Sequence, residues 1–407
     1  MKKWILLLIS IIIAGTISSA AIAGRVYYSD TKKYEDSKRV DLIQTALENI
    51  YISSAIPVEV KPTDGEAYVE FNQRFVSVIG DAPTYTLDVQ TKGDASYITL
   101  SQEKFMDIGF MVKENKALCT LYLPQDTINK LEINSEYGHY SINNGQNTNI
   151  NLSTINVKNL QINTYGTNIL LEGAYENVKV EGNAKLIMRS KAPAKVQLNG
   201  DIKSNLTGQY EKVEISDSNQ SVWIDSQTPA EVWTQSNNGE IRLRGSYTRV
   251  DIQGTEHGTI DVKSDTLCKI AINNYYGDTQ IEGAFEDILV NTEQGSVTVN
   301  STVIPKKISL LGQLDKITLM LPSNLPGMDL TYSGEYFNPN QEPFSDFALQ
   351  KEYTSEQVRK YTFGDQSTKI LVQAREGNAL YVLDNGYISG QNISEEASEN
   401  TKASPSE

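Results

Sequence analysis

The chain has 407 residues, with 36 Lys and Arg against 51 Asp and Glu, a formal net charge of −15. An acidic balance of this size argues against a phosphate-backbone partner, so no nucleic acid is expected. Two cysteines and two histidines are too few for a disulfide framework or for the commoner His-based metal centres.

At the N-terminus, Lys2-Lys3 precede Trp4–Ala23, a run of twenty residues without a charge. That is long enough to cross the hydrocarbon core as one hydrophobic helix. Residues 1–24 therefore read as a transmembrane anchor or a signal segment. The favoured expectation is a single-pass protein of the cell membrane, with the basic end inside and the body after Arg25 outside. The alternative is secretion after cleavage following Ala23, because Ala21-Ile22-Ala23 fits an A-x-A site. Residues 25–49 are charged and read as a stalk, with a short helix expected around Val40–Leu47.

Strand signals begin at Ile50. Over 50–130, segments such as Val58-Glu-Val60 and Tyr85-Thr-Leu-Asp-Val89 alternate apolar and polar residues between Asp64-Gly65, Gly80-Asp81 and Lys92-Gly93 turns. These strands lack a regular period and read as an N-terminal β cap. A regular array follows over 131–322. Gly173-Ala-Tyr-Glu-Asn-Val, Gly208-Gln-Tyr-Glu-Lys-Val, Gly245-Ser-Tyr-Thr-Arg-Val and Gly283-Ala-Phe-Glu-Asp-Ile repeat at intervals of 35, 37 and 38. Ser153, Ser190, Ser226, Ser264 and Ser301 recur between them, and the interleaved strands give a half-period of 17 to 20 residues. The unit is thus a coil of roughly 18 residues in two alternating flavours, each reading strand, turn, strand, corner. Stacked coils would place Tyr175, Tyr210, Tyr247 and Phe285 in register as an aromatic ladder. Residues 323–384 read as a C-terminal β cap. It comprises a Pro-, Gly- and Asn-rich excursion followed by Lys369-Ile-Leu-Val-Gln373 and Ala379-Leu-Tyr-Val-Leu383. Residues 385–407 are acidic and Ser-rich, the composition of a disordered tail.

The fold expected from these elements is all-β. It is a single-stranded parallel β-helix or β-solenoid of roughly 18-residue coils with N- and C-terminal β caps, after one N-terminal hydrophobic helix. On such a body Cys119 and Cys268 belong to different coils and are expected as unpaired, buried thiols.

No motif names a reaction. A Gly-x-Ser-x-Gly elbow, a phosphate-cradling glycine loop and a Cys-x-x-Cys pair are all missing from the sequence. His139 and His257 stand beside turn glycines and read as surface turn residues. Parallel β-helices can carry polysaccharide lyase or glycoside hydrolase sites on one face, which would need clustered carboxylates or Arg/Lys on neighbouring strands. Lys179, Glu214, Arg242, Arg244, Asp251, Asp261 and Glu282 are outward by alternation, but they mix signs from coil to coil. They read as surface pairs, so no catalytic, cofactor-binding or metal residue is assigned and no cofactor is expected.

Several segments carry a family resemblance. They are Ile50-Tyr-Ile-Ser-Ser-Ala-Ile-Pro-Val-Glu-Val-Lys-Pro-Thr-Asp-Gly65, Leu121-Tyr-Leu-Pro124, Leu131-Glu-Ile-Asn-Ser-Glu-Tyr-Gly138, the Gly-x-Tyr/Phe coils, and Phe363-Gly-Asp-Gln-Ser-Thr-Lys-Ile-Leu-Val372. In their order over Ile50–Leu383, the chain resembles the bacterial putative-adhesin family of β-strand repeat domains, a cell-envelope group of unknown molecular function. The resemblance implies a β-solenoid outside the membrane and supplies no catalytic residues. The function expected is a non-catalytic, adhesin-like or structural envelope protein. Its partner would be an envelope polymer or protein of unknown identity, with the membrane contacted through the N-terminal helix. The rival is an accessory of envelope-stress signalling acting through a membrane partner.

Overall fold

The computed structural model describes residues 32–77, 81–103, 112–124, 127–135, 148–153, 155–218, 220–237, 239–256, 258–336, 343–355, 357–376 and 380–385. The expected N-terminal helix, His139, His257 and the tail from 386 lie outside the described residues. The described chain is all-β and solenoid-like. It falls into two compact units, one reaching Tyr175 and including Val180–Lys185, the other made of Glu176–Lys179 and the chain from Leu186 onward.

The first unit contains β1 (Lys32–Asp41), β2 (Asn49–Ser54), β3 (Val58–Pro62), β4 (Tyr68–Ser77), β5 (Tyr85–Lys92), β6 (Ala95–Gln102), β7 (Val112–Leu123), β8 (Thr127–Ser135), β9 (Thr148–Leu152) and β10 (Asn156–Gly173). Two ladders organise it. One runs β5, β6, β2, β8 and the start of β10, antiparallel at β5–β6 and parallel thereafter. The other runs β1, β4, β7, β3, β9 and the end of β10, antiparallel up to β7 and parallel thereafter. Alternate residues such as Ile50, Ile52, Ile98 and Leu100 in one ladder, and Val60, Phe71 and Leu121 in the other, are buried. Alternation along each strand therefore builds the core.

Two expectations for 25–49 change here. Residues 32–41, read as stalk, form β1, which pairs with β4 from Lys32↔Ser77 to Asp41↔Tyr68. In place of a helix over Val40–Leu47 there is only a 3-10 turn at Gln44–Ala46. Leu42, Ala46 and Leu47 are buried, which ties this segment to the body.

The second unit is built on β11 (Tyr175–Asn199), most of which belongs to it, β12 (Ile202–Ser218), β13 (Val222–Ser236), β14 (Ile241–Thr255), β15 (Ile260–Tyr276), β16 (Thr279–Ser301) and β17 (Lys307–Leu321). From β12 to β17 each element pairs in parallel with the next. Val222 pairs with Ile241 and Ile241 with Ile260, a step of one coil. Each of β13, β14 and β15 bends once, as the register shift after Ser226 shows, so each coil contributes two arms. In the first arm Val222, Ile224, Leu243 and Val262 point inward; in the second, Val232, Val250, Ile252, Ile270 and Ile272 do so. Rows of β-branched and Leu side chains stacked coil upon coil suit this half-buried pleat.

The bend explains the two flavours of coil. Ser226 pairs with Gly208 on one side and Gly245 on the other, and Ser264 with Gly245 and Gly283. Serine and glycine therefore occupy one corner position on alternating coils. Gly245 has φ +101°, and a Cβ there would stand 2.1 Å from the Ser226 carbonyl oxygen. Only glycine admits both the conformation and the approach. The serine side of the corner is fastened by hydrogen bonds: Ser226 Oγ donates to Thr228 O at 2.6 Å and Ser264 Oγ to Thr266 O at 2.8 Å. Thr228 Oγ1 accepts from Tyr210 N at 3.0 Å and donates to Tyr210 O at 2.8 Å, standing in for a missing ladder partner.

The same alternation corrects the expected aromatic ladder. Tyr247 pairs with Ala230 and Phe285 with Cys268, so large and small residues alternate along the row. The rings therefore recur on every second coil, with a small buried residue in the coil between. Each tyrosine instead reaches back across the gap: Tyr247 Oη donates to Ile224 O at 2.9 Å and Tyr210 Oη to Met188 O at 3.3 Å.

Beyond Leu321 the cap is more strand-rich than the two expected segments. It comprises β18 (Gly327–Tyr336), β19 (Phe344–Ser345), β20 (Gln350–Thr354), β21 (Val358–Gly364), β22 (Thr368–Glu376) and β23 (Leu380–Asp384). β18 forms within the Pro- and Gly-rich excursion. β22 then returns and inserts between β17 and β18, parallel to both. The antiparallel pairs β18–β21 and β21–β20 follow. β23 closes the first-arm ladder beside β17.

Candidate functional site

Since the interior is filled by apolar rows, any functional group must lie on the outward faces or corners. The residues singled out in the sequence fall on two different faces of the second unit. Arg242, Arg244, Asp261 and Glu282 are outward on first arms, and Glu214 and Asp251 on second arms. Lys179 lies on β11 and is half-buried.

Each of these six charges on first and second arms has an opposite neighbour. Arg244 grips Asp261 with both terminal nitrogens, Nη1 to Oδ1 at 2.7 Å. This pairing raises the guanidinium pKa above its usual value. Lys263 Nζ donates to Glu282 at 2.8 Å, and Arg242 to Glu240 at 2.9 Å. Asp251 accepts from Gln253 at 2.6 Å and faces Arg249 at 3.6 Å, while Glu214 pairs with Lys212. Exposed pairs of this kind add little to stability, and they quench the local charge. Among the described residues, no group of three or more His, Cys, Asp and Glu is placed to hold a metal ion.

The thiols do not offer a nucleophile in the folded state. Cys119 and Cys268 are both unpaired and buried, as expected, and burial pushes each thiol up to about 12.

The outward positions also carry aromatics that the sequence reading passed over. On the first unit, Tyr51 and Tyr97 stack with ring centres 4.9 Å apart, Lys130 lying 4.7 Å from one ring and Lys92 5.4 Å from the other. A second stack, Tyr68 with Tyr122, has Arg39 at 3.7 Å. Lysine and arginine thus cover ring faces that would otherwise meet water. On the second unit, coil β13 presents Trp223 from its first arm and Trp233 from its second. The signal was present in Val222-Trp-Ile224, where buried neighbours force the tryptophan outward. Arg242 lies 5.5 Å from the Trp223 ring. At the C-terminal end of the same unit, a shallow depression of about 570 Å³ is rimmed by Gln313, Ser333, Gln357 and Gln373.

The outward faces carry ion pairs and aromatics, the latter stacked in pairs on the first unit and single on the second, an arrangement suited to contact with an extended partner. Among the described residues no helix is long and apolar enough to cross a membrane. Residues 4–23 are not among those residues.

Comparison with known proteins places these features in a family. No curated protein matches the chain. A crystal structure at 1.95 Å of a putative cell adhesion protein from Clostridium sporogenes ATCC 15579 aligns over 87% of this chain and 99% of its own, at 9% identity and a TM-score of 0.18. A family model described as Toastrack DUF4097 matches residues 47–379, spanning both units and both caps. The chain belongs to the Toastrack DUF4097 family.

Proposed function

We propose that the protein is a non-catalytic presentation scaffold of the cell envelope, held at the membrane by Trp4–Ala23, with its β body outside. The body would bind an envelope polymer or protein through its outward faces. The observation that carries this reading is the pairing of outward charges, between neighbouring coils at Arg244–Asp261 and Lys263–Glu282 and along one strand at Lys212–Glu214 and Arg249–Asp251. An acid/base or uronate-binding site needs unquenched, clustered charges. Here Asp261, Glu282, Glu214 and Asp251 each have a cationic or amide neighbour. A scaffold, by contrast, gains from a surface that is regular and rigid.

The test is capture by the full chain from cell-wall, glycan and membrane fractions. Retention of a wall or glycan fraction, with the protein itself in the membrane fraction, is the expected outcome. Turnover of a polysaccharide, lost on changing Asp261 or Arg244, would sink the non-catalytic reading; recovery of the protein only from the cytosol would sink the envelope assignment.

A further inference from the structure

We propose that Trp223, Asp225 and Asn205 form a subsite for an uncharged sugar residue of a glycan chain. The proposal rests on the scaffold reading above and names the chemistry of its ligand.

The three side chains lie on the outer face of the first arms. Trp223 pairs in register with Asn205 on one neighbouring coil and Arg242 on the other. Asp225 stands two residues further along the same arm and therefore on the same face. Adjacent coils are about 4.8 Å apart and alternate residues on one strand about 7 Å apart. The group thus covers an area comparable to one sugar ring. Trp223 is 38% exposed while its neighbours Val222 and Ile224 are buried, so the indole stands out from the sheet, with the Arg242 guanidinium 5.5 Å from its ring centre on one side only.

What separates this patch from the rest of the face is its unsatisfied polar groups. Asp225 pairs in register with Arg244, but the guanidinium turns away to Asp261 on the following coil. Among the described residues neither the Asp225 carboxylate nor the Asn205 amide makes an ion pair or a side-chain hydrogen bond. The opposite face of the same coil supplies a contrast. Trp233 pairs with Glu214 and Asp251, and both of those carboxylates are already engaged by Lys212 and by Arg249 with Gln253.

A pyranose has an apolar C–H face and a rim of hydroxyls. The part of the indole that Arg242 leaves exposed can pack against the first. A free carboxylate accepts from two hydroxyls, and an amide both donates and accepts. Arg242 is tied to Glu240 at 2.9 Å and does not offset Asp225, so a uronate or phosphate would meet an uncompensated negative charge on a chain of net charge −15. The ligand chemistry is therefore that of neutral hexoses or N-acetylhexosamines. With a single unpaired carboxylate the patch binds without an acid/base pair for hydrolysis.

The test is isothermal titration of the full chain with neutral tetrasaccharides (N-acetylglucosamine, glucose β-1,4 and glucose α-1,4) and with tetragalacturonate. At least one neutral probe is expected to bind with a Kd on the order of 1 mM or tighter. Trp223→Ala should weaken it at least about tenfold, Asp225→Asn should weaken it, Trp223→Phe should retain part of it, and Trp233→Phe should leave it unchanged. Binding of none of the neutral probes, wild-type affinity in Trp223→Ala, or preference for the galacturonate would each overturn the subsite. So would capture of a protein through Trp223 with no glycan bound. If Trp223→Ala still captures the envelope fraction, only the subsite falls; if the wild type captures none, the scaffold reading falls with it.

Discussion

At the level of single residues, the corner glycines and the buried hydroxyls make opposite demands. Gly245→Ala would add a Cβ 2.1 Å from a backbone oxygen at a positive φ. Its cost is expected to be about 3 kcal/mol, read as a fall in the urea midpoint. Gly93 also has a positive φ, +63°, but nothing lies within 4 Å of an added Cβ. Gly93→Ala should therefore cost only about 1 kcal/mol, and equal losses at the two sites would refute the close-approach argument. Thr234 behaves in the other direction. It sits between Ile215 and Ile252 in an otherwise aliphatic row, and its Oγ1 is buried without a partner. Thr234→Val should raise stability by about 1 kcal/mol, with the m-value unchanged. The buried thiols set an alkaline limit. Their folded pKa of about 12 lies above the unfolded value of about 8.5, so their contribution is complete below the lower figure and is lost as pH rises toward the higher one. Native protein should show no thiol reactive to a chromogenic disulfide at pH 8, and two in denaturant.

At the level of the element, the coil was legible because its corner is fixed by residue type. Glycine and serine mark the bend, and the pleat forces alternation on the residues between them. The aromatic row was misjudged because sequence spacing shows the recurrence of Tyr210, Tyr247 and Phe285 at 37 and 38 residues but hides what stands between, namely Ala230 and Cys268. Ala230 faces Tyr247 in the next coil and is fully buried. Ala230→Leu should cost about 1–3 kcal/mol by overpacking that corner, and a neutral outcome in thermal melts would mean the row has slack. β1 was missed for a different reason. As an edge strand with most residues exposed on both faces, Lys32–Asp41 has no apolar alternation to read. Its charges are the means by which an edge avoids pairing with other chains. Trp223 could be placed outward from its neighbours, whereas the vacancy beside Asp225 depends on which way Arg244 turns, and a linear sequence does not carry that.

At the level of the molecule, antiparallel strands end both parallel ladders of the first unit, β5 and β1–β4, and the second-arm ladder of the second unit, β21 and β20, while its first-arm ladder ends in the short parallel strand β19 beside β23. The cap strands were hard to foresee because their partners are not sequential; β22 completes the row only by passing between two strands made before it. Truncation after Leu321 removes β22 and β23 and leaves the outer edge of both arms of β17 unpaired, with β16 still on the inner edge. The truncated chain is expected to associate through that edge, seen as concentration-dependent growth in light scattering, while the full chain does not.

The shared corner of serine and glycine also bears on how such a gene can change length. Loss or duplication of a single coil would bring like against like at the junction, either glycine and tyrosine against themselves or serine and the small corner residues against themselves. Two coils carried together restore Ser226 against Gly245 and Ala230 against Tyr247 at every layer. The heritable quantum of this array is therefore the pair, and lengthening or shortening by recombination should proceed in even numbers of coils.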